Sequence, residues 1–259
     1  MAGMHFGRRG KLAAIVLGVA VLGAAALGGG YRHYLGFEPA GERYPVHGID
    51  ISHHQGAIDW DALKRAQVRF VYMKASEGGD HVDTRFAANW RAAGSAGIAR
   101  GAYHFFTLCK PGLAQAHNFM RTVQIDGQAM PPAVDLEFGG NCKRRPQKAA
   151  VLREIKAFLA AIERHYGKKP ILYVTRDFHD RYLTGAFSEY GFWIRSIYFR
   201  PDLPGRPWLF WQFHDRGSRA GITGRVDLNV FQGDWAAFEH WRKTGRWQPD
   251  AGPAPAGAG

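Results

Sequence analysis

Within PPAVDLEFGG, residues 131–140, Asp135 and Glu137 stand two apart in a run that otherwise reads as a buried strand, with Val134, Leu136 and Phe138 around them. Residues two apart on a strand share a face, so both carboxylates point inward if either does. Like charges held close together raise one pKa, which keeps one group protonated as a general acid. The other can stay ionised and stabilise positive charge at an anomeric carbon. That division of labour is what glycosidic-bond cleavage needs. A lone D-x-E is weak evidence, because helix-capping and ion-paired carboxylates also collect at strand ends.

The elements that must position this pair are legible from periodicity. Strand-like segments fall at 48–52, 69–76, 99–106, 132–138, 170–175, 192–197, 208–213 and 226–231. Helical patterns fill the early gaps at 59–67, 83–96, 112–124 and 147–166, the last with Val151, Ile155, Phe158, Leu159 and Ile162 at the 3.6 period. The later gaps are short. Strands alternating with helices predict an α/β fold with a parallel sheet and right-handed crossovers. The set predicts a closed TIM-like barrel whose last third has lost most of its helices. Active sites on such barrels lie at the C-terminal strand ends.

At those ends the first strand offers Asp50 and Ser52, the fourth Asp135 and Glu137, and the eighth carries Asp227. Trp193, Arg195, Trp211 and Gln212 lie on the two strands before it. Asp50 alone could cap a turn into SHHQG, and Asp227 alone could bond Asn229. Acids at three strand ends together point to a shared site. His47, His53, His54 and His104 raise a metal as an alternative, but adjacent histidines on an extended segment face opposite sides. No H-x-x-x-H or C-x-x-C spacing accompanies them, so neither metal nor cofactor is expected.

With 259 residues, 46% apolar and 14% aromatic, the chain suits one barrel-sized domain. Its formal net charge of +12 implies an anionic partner: nucleic acid, a membrane surface or an acidic polymer. Basic residues are scattered, apart from Lys143-Arg144-Arg145, and no nucleic-acid module is visible, so nucleic acid is not expected. Arg8, Arg9 and Lys11 precede an uncharged, mostly apolar run at 12–30, which reads as an export segment. Its length favours an uncleaved anchor in the inner membrane with the remainder in the periplasm. Ala24-Ala25-Ala26 keeps open the alternative of cleavage and a periplasmic or secreted product. The organisation expected is an anchor or signal at 1–36, a catalytic barrel at 37–246 and a disordered tail at 247–259.

From about His47 to Trp235 the chain resembles glycoside hydrolase family 25, the Chalaropsis-type lysozymes that cut the N-acetylmuramic acid β-1,4-N-acetylglucosamine bond of peptidoglycan. The matches run in order: GIDISHHQGAIDW, FVYMKASEG, GAYHFF, PAVDLE, ILYVT, FWIR, LFWQF and GRVDLNVFQGDW. The resemblance implies an irregular (β/α) barrel, about five β/α units followed by three strands. It implies Glu137 as general acid with Asp135 assisting, and Asp50 and Asp227 in the same acidic cleft. Lys74, Glu77, Tyr103, Tyr173, Trp193 and Trp211 would shape or line that cleft. The enzyme would be a monomer acting on glycan strands, with the substrate's own 2-acetamido group as nucleophile and retention of configuration. A catalytically weak peptidoglycan-binding protein and another amino-sugar hydrolase, such as a chitinase, are the alternatives. GIDISHHQG and VDLNVFQG argue against the second.

Two cysteines complete the reading. Cys109 lies three residues past YHFF and Cys142 four past LEF. Parallel neighbouring strands would bring both loops to one rim, within reach of a disulfide. Export makes the bond chemically possible; two free buried thiols are the alternative.

Overall fold

The computed structural model describes residues 8–247, with side chains from residue 15 onward. The expected tail lies outside the described residues from 248 on, as do the side chains of Arg8, Arg9 and Lys11. The chain divides after Phe37 into two units. In the first, α1 (Arg8–Leu35) carries Ile15, Val16, Leu17, Val19, Leu22 and Leu27 exposed on every side. Residues Ile15–Leu35 have a mean hydropathy of 1.5 and none is buried. A helix apolar all round has no polar face to turn to water, and this length reaches about 30 Å, enough to cross a bilayer.

The second unit is built from β1 (His47–Ile51), α2 (Trp60–Arg65), β2 (Phe70–Glu77), β3 (His81–Val82), α3 (Phe86–Ser95), β4 (Ala99–Phe105), α4 (Gly112–Thr122), β5 (Ala133–Leu136) and α5 (Lys148–Tyr166). It continues through β6 (Ile171–Thr175), the short α6 (Arg176–Phe178) with a wider turn at His179–Leu183, β7 (Gly191–Arg195), β8 (Trp208–Gly217), β9 (Val226–Phe231) and α7 (Trp235–Thr244). The sheet order β1-β9-β8-β7-β6-β5-β4-β2 is closed by β1 pairing β2, giving an eight-stranded barrel; β3 is a two-residue hairpin strand outside the ring. This is the irregular TIM-like barrel expected.

Two features depart from the sequence reading. β9 runs antiparallel to both β1 and β8. Only residues 218–225 join β8 to β9, whereas a parallel crossover needs a dozen or more. The reversal matters for chemistry: Asp227 stands at the start of β9, and antiparallel pairing sets it directly against Asp50 near the end of β1. A parallel last strand would have put it at the opposite end of the barrel. The second departure is α7. Asp234 caps it by accepting the Ala237 N–H at 2.8 Å, and Phe238 and Trp241 pack on Phe70, Phe210 and Phe231. Phe70 begins β2 and Phe231 ends β9, so α7 closes the end of the barrel away from the carboxylates.

Inside the barrel, large rings face glycines. A methyl group on Gly48 would lie 2.4 Å from the Phe70 ring, and one on Gly101 2.4 Å from the Tyr72 ring. Large and small residues on facing positions are how a close-packed interior fills without strain.

Cys109 and Cys142 are bonded, with Cα atoms 6.2 Å apart and a sequence separation of 33. The bond ties the loop after β4 to the loop after β5. Asn141 braces the same junction: its Oδ1 accepts the N–H groups of Leu108 and Cys142, both at 2.9 Å. Its Nδ2 donates to the carbonyls of Phe106 and Glu137 at 2.8 and 2.9 Å. Breaking the disulfide in a Cys109→Ser/Cys142→Ser variant is expected to cost about 2–4 kcal/mol, the lower end if Asn141 keeps the loops ordered. Thermal midpoints with and without reductant check this: a wild-type midpoint unmoved by reductant, with two thiols titrating, would contradict it.

Candidate active site

A cavity of about 240 Å³ opens at the C-terminal ends of the parallel strands, lined by Asp50, Lys74, Tyr103, Asp135, Glu137, Tyr173, Trp193, Gln212 and Asp227. Ile51, Ser52, His54, Gln55 and Phe105 complete the lining. The four acids come from two places on the ring. Asp135 and Glu137 extend from β5; Asp50 and Asp227 are register partners on β1 and β9.

The second pair is held by a relay of amides. Asp50 Oδ2 accepts Gln212 Nε2 at 2.9 Å and Asn229 Nδ2 at 2.7 Å. Gln212 Oε1 accepts the Tyr173 hydroxyl at 2.9 Å, and Asn229 Oδ1 accepts Trp193 Nε1 at 2.8 Å. With both amide oxygens occupied, both amide NH₂ groups must face Asp50. Asn229 therefore serves Asp50, not Asp227. Asp227 also hydrogen-bonds Asp50 and carries the proton between them: burial, then the Asp50 charge, push it up to about 9. Burial pushes Asp50 up too, against the pull of Asn229 and Gln212.

A carboxyl raised in the folded state adds stability below its unfolded pKa and loses it as pH rises through the folded one. Asp227 thus costs stability across the window from about 4 to about 9. Asp227→Asn keeps an N–H for Asp50 and should raise the thermal midpoint at pH 7 by ~2–5 °C, with little change at pH 4. An unchanged or lower midpoint at pH 7 would refute this.

The first pair is less satisfied. Asp135 Oδ1 is buried without a hydrogen-bond partner. Burial, then the charges of Glu137 and Asp50, raise Asp135 well above the usual carboxylate range, while Lys74 pulls it down. Glu137 is pushed up to about 6, chiefly by burial, with Arg195 opposing and Asp50 and Asp177 adding to the rise. The two side chains share too little positive charge to ionise together near neutral pH. A buried acceptor facing a cavity beside a carboxyl that titrates near 6 is equipped to receive one N–H and deliver one proton.

The sequence profile of Glycosyl hydrolases family 25 matches residues 49–222. The chain belongs to glycosyl hydrolase family 25. Over 216 residues it is 35% identical to "Uncharacterized protein YegX" of Escherichia coli (strain K12), covering 78% of each chain. It is 34% identical to "Lysozyme M1" of Streptomyces globisporus over 205 residues, covering 74% of this chain and 69% of that one. Among solved structures, a family 25 glycosyl hydrolase from Bacillus anthracis superposes with a TM-score of 0.74 at 38% identity, covering 78% of this chain and 95% of the other. The protein is a glycoside hydrolase.

In this family 25 hydrolase Lys74, Tyr103, Tyr173 and Trp193 line the cavity as the sequence suggested. Lys74 lies over the Phe105 ring at 5.0 Å and donates to Glu77 Oε2 at 2.7 Å. Glu77 holds that lysine and does not line the cavity. Trp211 is the departure: its indole packs against Tyr44, Trp208 and Phe213 and donates to the Ser196 carbonyl at 2.6 Å, outside the cavity. Strand alternation lets only one of two neighbours face inward, and Gln212 takes that place. The signal lay in FWQF and VDLNVF, where Gln212 and Asn229 are the lone amides in apolar strands; buried amides imply partners. His53 turns away to Asp83, its Nδ1 2.8 Å from Oδ2, while His54 faces the cavity. His104 is buried between Ser76 and Gln115, and burial pushes it down to about 3. It is a neutral brace for the loop that holds Cys109, since the same Gln115 binds Thr107 and Lys110.

Proposed function

We propose that the protein is a peptidoglycan hydrolase of the lysozyme type, a 1,4-β-N-acetylmuramidase that cleaves the bond from N-acetylmuramic acid to N-acetylglucosamine. The observation that carries this is the side-by-side Asp135 and Glu137 in the cavity, with Asp135 Oδ1 unpartnered, in a chain similar to a named lysozyme. Glu137 gives its proton to the leaving glycosidic oxygen as the bond from C1 breaks. The acetamido oxygen of the same sugar attacks C1 and closes a five-membered oxazolinium ring. Asp135 accepts the acetamido N–H, which favours its ionised form and concentrates the pair's remaining proton on Glu137. Water, deprotonated by the Glu137 carboxylate, then opens the ring from the face the leaving group occupied, so the first product is the β anomer. Asp50 and Asp227, opposite, hold Tyr173 and Trp193 in place through Gln212 and Asn229.

We read the enzyme as a monomer, and none of the chemistry calls for a cofactor. Residues 1–36 we read as the export segment and anchor, 37–246 as the catalytic barrel in the periplasm, and 247–259 as a tail. Fractionation is expected to leave the full-length chain with the inner membrane; a shortened soluble form beginning near Leu27 would defeat the anchor. The function itself is tested by incubating purified peptidoglycan with the protein: soluble fragments with new reducing ends are expected. Retention on the polymer with no release would make it a peptidoglycan-binding protein, and release from chitin alone a chitinase.

A further inference from the structure

The layer above Asp135, level with Glu137, contains side chains that the proposed mechanism leaves unused. Along β6 and β7 alternate residues face inward, so Thr175 and Arg195 stand above Tyr173 and Trp193. Thr175 and Arg195 are register partners on the two strands. Thr175 is 9% exposed, its hydroxyl makes no helix-capping bond, and Oγ1 is buried without a hydrogen-bond partner. The Arg195 side chain is 37% exposed and spends one Nη on Asp215 at 2.6 Å. Arg195 does not itself line the cavity, but its register beside Thr175 sets it in the layer above Trp193, which does, and its charge acts on Glu137, Asp50 and Asp227.

β7 faces β2 across the ring, with β4, β5 and β6 on one side and β8, β9 and β1 on the other. Lys74 on β2 is engaged by Glu77, so each wall between the acid pairs carries one cation. The guanidinium differs from the ammonium in presenting a planar fork that matches a carboxylate. Beyond it Tyr198 holds φ +70, unusual for a non-glycine residue, and Phe199 is 71% exposed. An aromatic face at that exposure suits the apolar face of a sugar ring.

We propose that Arg195 and Thr175 form a carboxylate subsite that reads the acidic substituent carried by muramic acid and not by glucosamine. This rests on the muramidase reading. Arg195 exchanges part of its contact with Asp215 for the substrate carboxylate, and the Thr175 hydroxyl donates to the same group. The glucosamine units of the strand have only a hydroxyl at the corresponding position, so the subsite fixes which sugar enters the reacting place.

Glycan strands freed of peptide stems carry a lactyl carboxylate, and carbodiimide with ammonia converts it to a neutral amide without altering the backbone. Wild-type protein is expected to have a kcat/KM ~10-fold higher on the acid than on the amide, and Arg195→Gln should bring that ratio to within ~2-fold. Thr175→Val should lower the ratio ~3-fold, and Asp215→Asn should leave it at or above wild type. A preference seen only on stem-bearing strands, before against after amidation, places the carboxylate on the peptide and equally supports the subsite. A wild-type ratio near one on both strand types, or Arg195→Gln lowering acid and amide alike, overturns it while leaving the muramidase reading intact. Wild-type protein that cleaves none of these strands overturns both.

Discussion

Glu137→Gln is expected to lower kcat by ~10²–10⁴-fold while the fold and substrate binding persist. Glutamine has nearly the same shape but carries no transferable proton, so what is lost is protonation of the leaving oxygen. Two further readouts separate this from general damage. The wild-type kcat/KM should fall as pH rises through about 6, where Glu137 of the free protein loses its proton, and the variant's residual kcat/KM should not show that step. Stability moves the other way. Because the folded pKa is raised, Glu137 contributes stability below about 4.5 and loses it as pH climbs through about 6. Its neutral replacement should be as stable as wild type at pH 4 and more stable by about 1–2 kcal/mol at pH 7. A variant that releases fragments at near the wild-type rate would remove Glu137 from the acid role.

Asp135→Asn is expected to reduce kcat by ~10²-fold or more, with KM changed by less than ~3-fold. Asp135 Oδ1 is a buried acceptor without a partner in the free protein, and an asparagine at that place offers a donor on one side where the substrate amide also offers a donor. The acetamido oxygen is then no longer aligned on C1, and the positive charge that develops on the ring has no carboxylate beside it. A thiazoline analogue of the oxazolinium ion should discriminate sharply, binding the variant ~10²-fold more weakly than wild type. Equal affinity of the two proteins for that analogue would contradict the assisting role and favour a directly activated water.

Much of this architecture was legible because period and composition agree. The aromatic and β-branched runs gave every strand of the ring, and the long apolar stripe of 147–166 gave α5. Polar residues in otherwise apolar strand ends pointed to Asp50, Asp135, Glu137 and Asp227. What escaped depended on direction and partnership. Periodicity has no sign, so β9 reads the same parallel or antiparallel; the short connection at 218–225 was the clue that it must turn back. Alternation says that Trp211 and Gln212 face opposite sides but not which faces in, and aromatic character favoured the wrong one. Asn141 escaped because its four hydrogen bonds reach backbone groups across two loops, a pattern no local window contains. α7 was hidden in a short polar stretch after the last strand, where only the Asp234 cap and the spacing of Phe238 and Trp241 betray it.

The most direct test of the muramidase account is the identity of the sugar left with a free reducing end. Purified peptidoglycan digested by the protein, reduced with borohydride and analysed by mass should yield fragments ending in reduced N-acetylmuramic acid, with none formed by Glu137→Gln. Fragments ending in reduced N-acetylglucosamine would contradict the account.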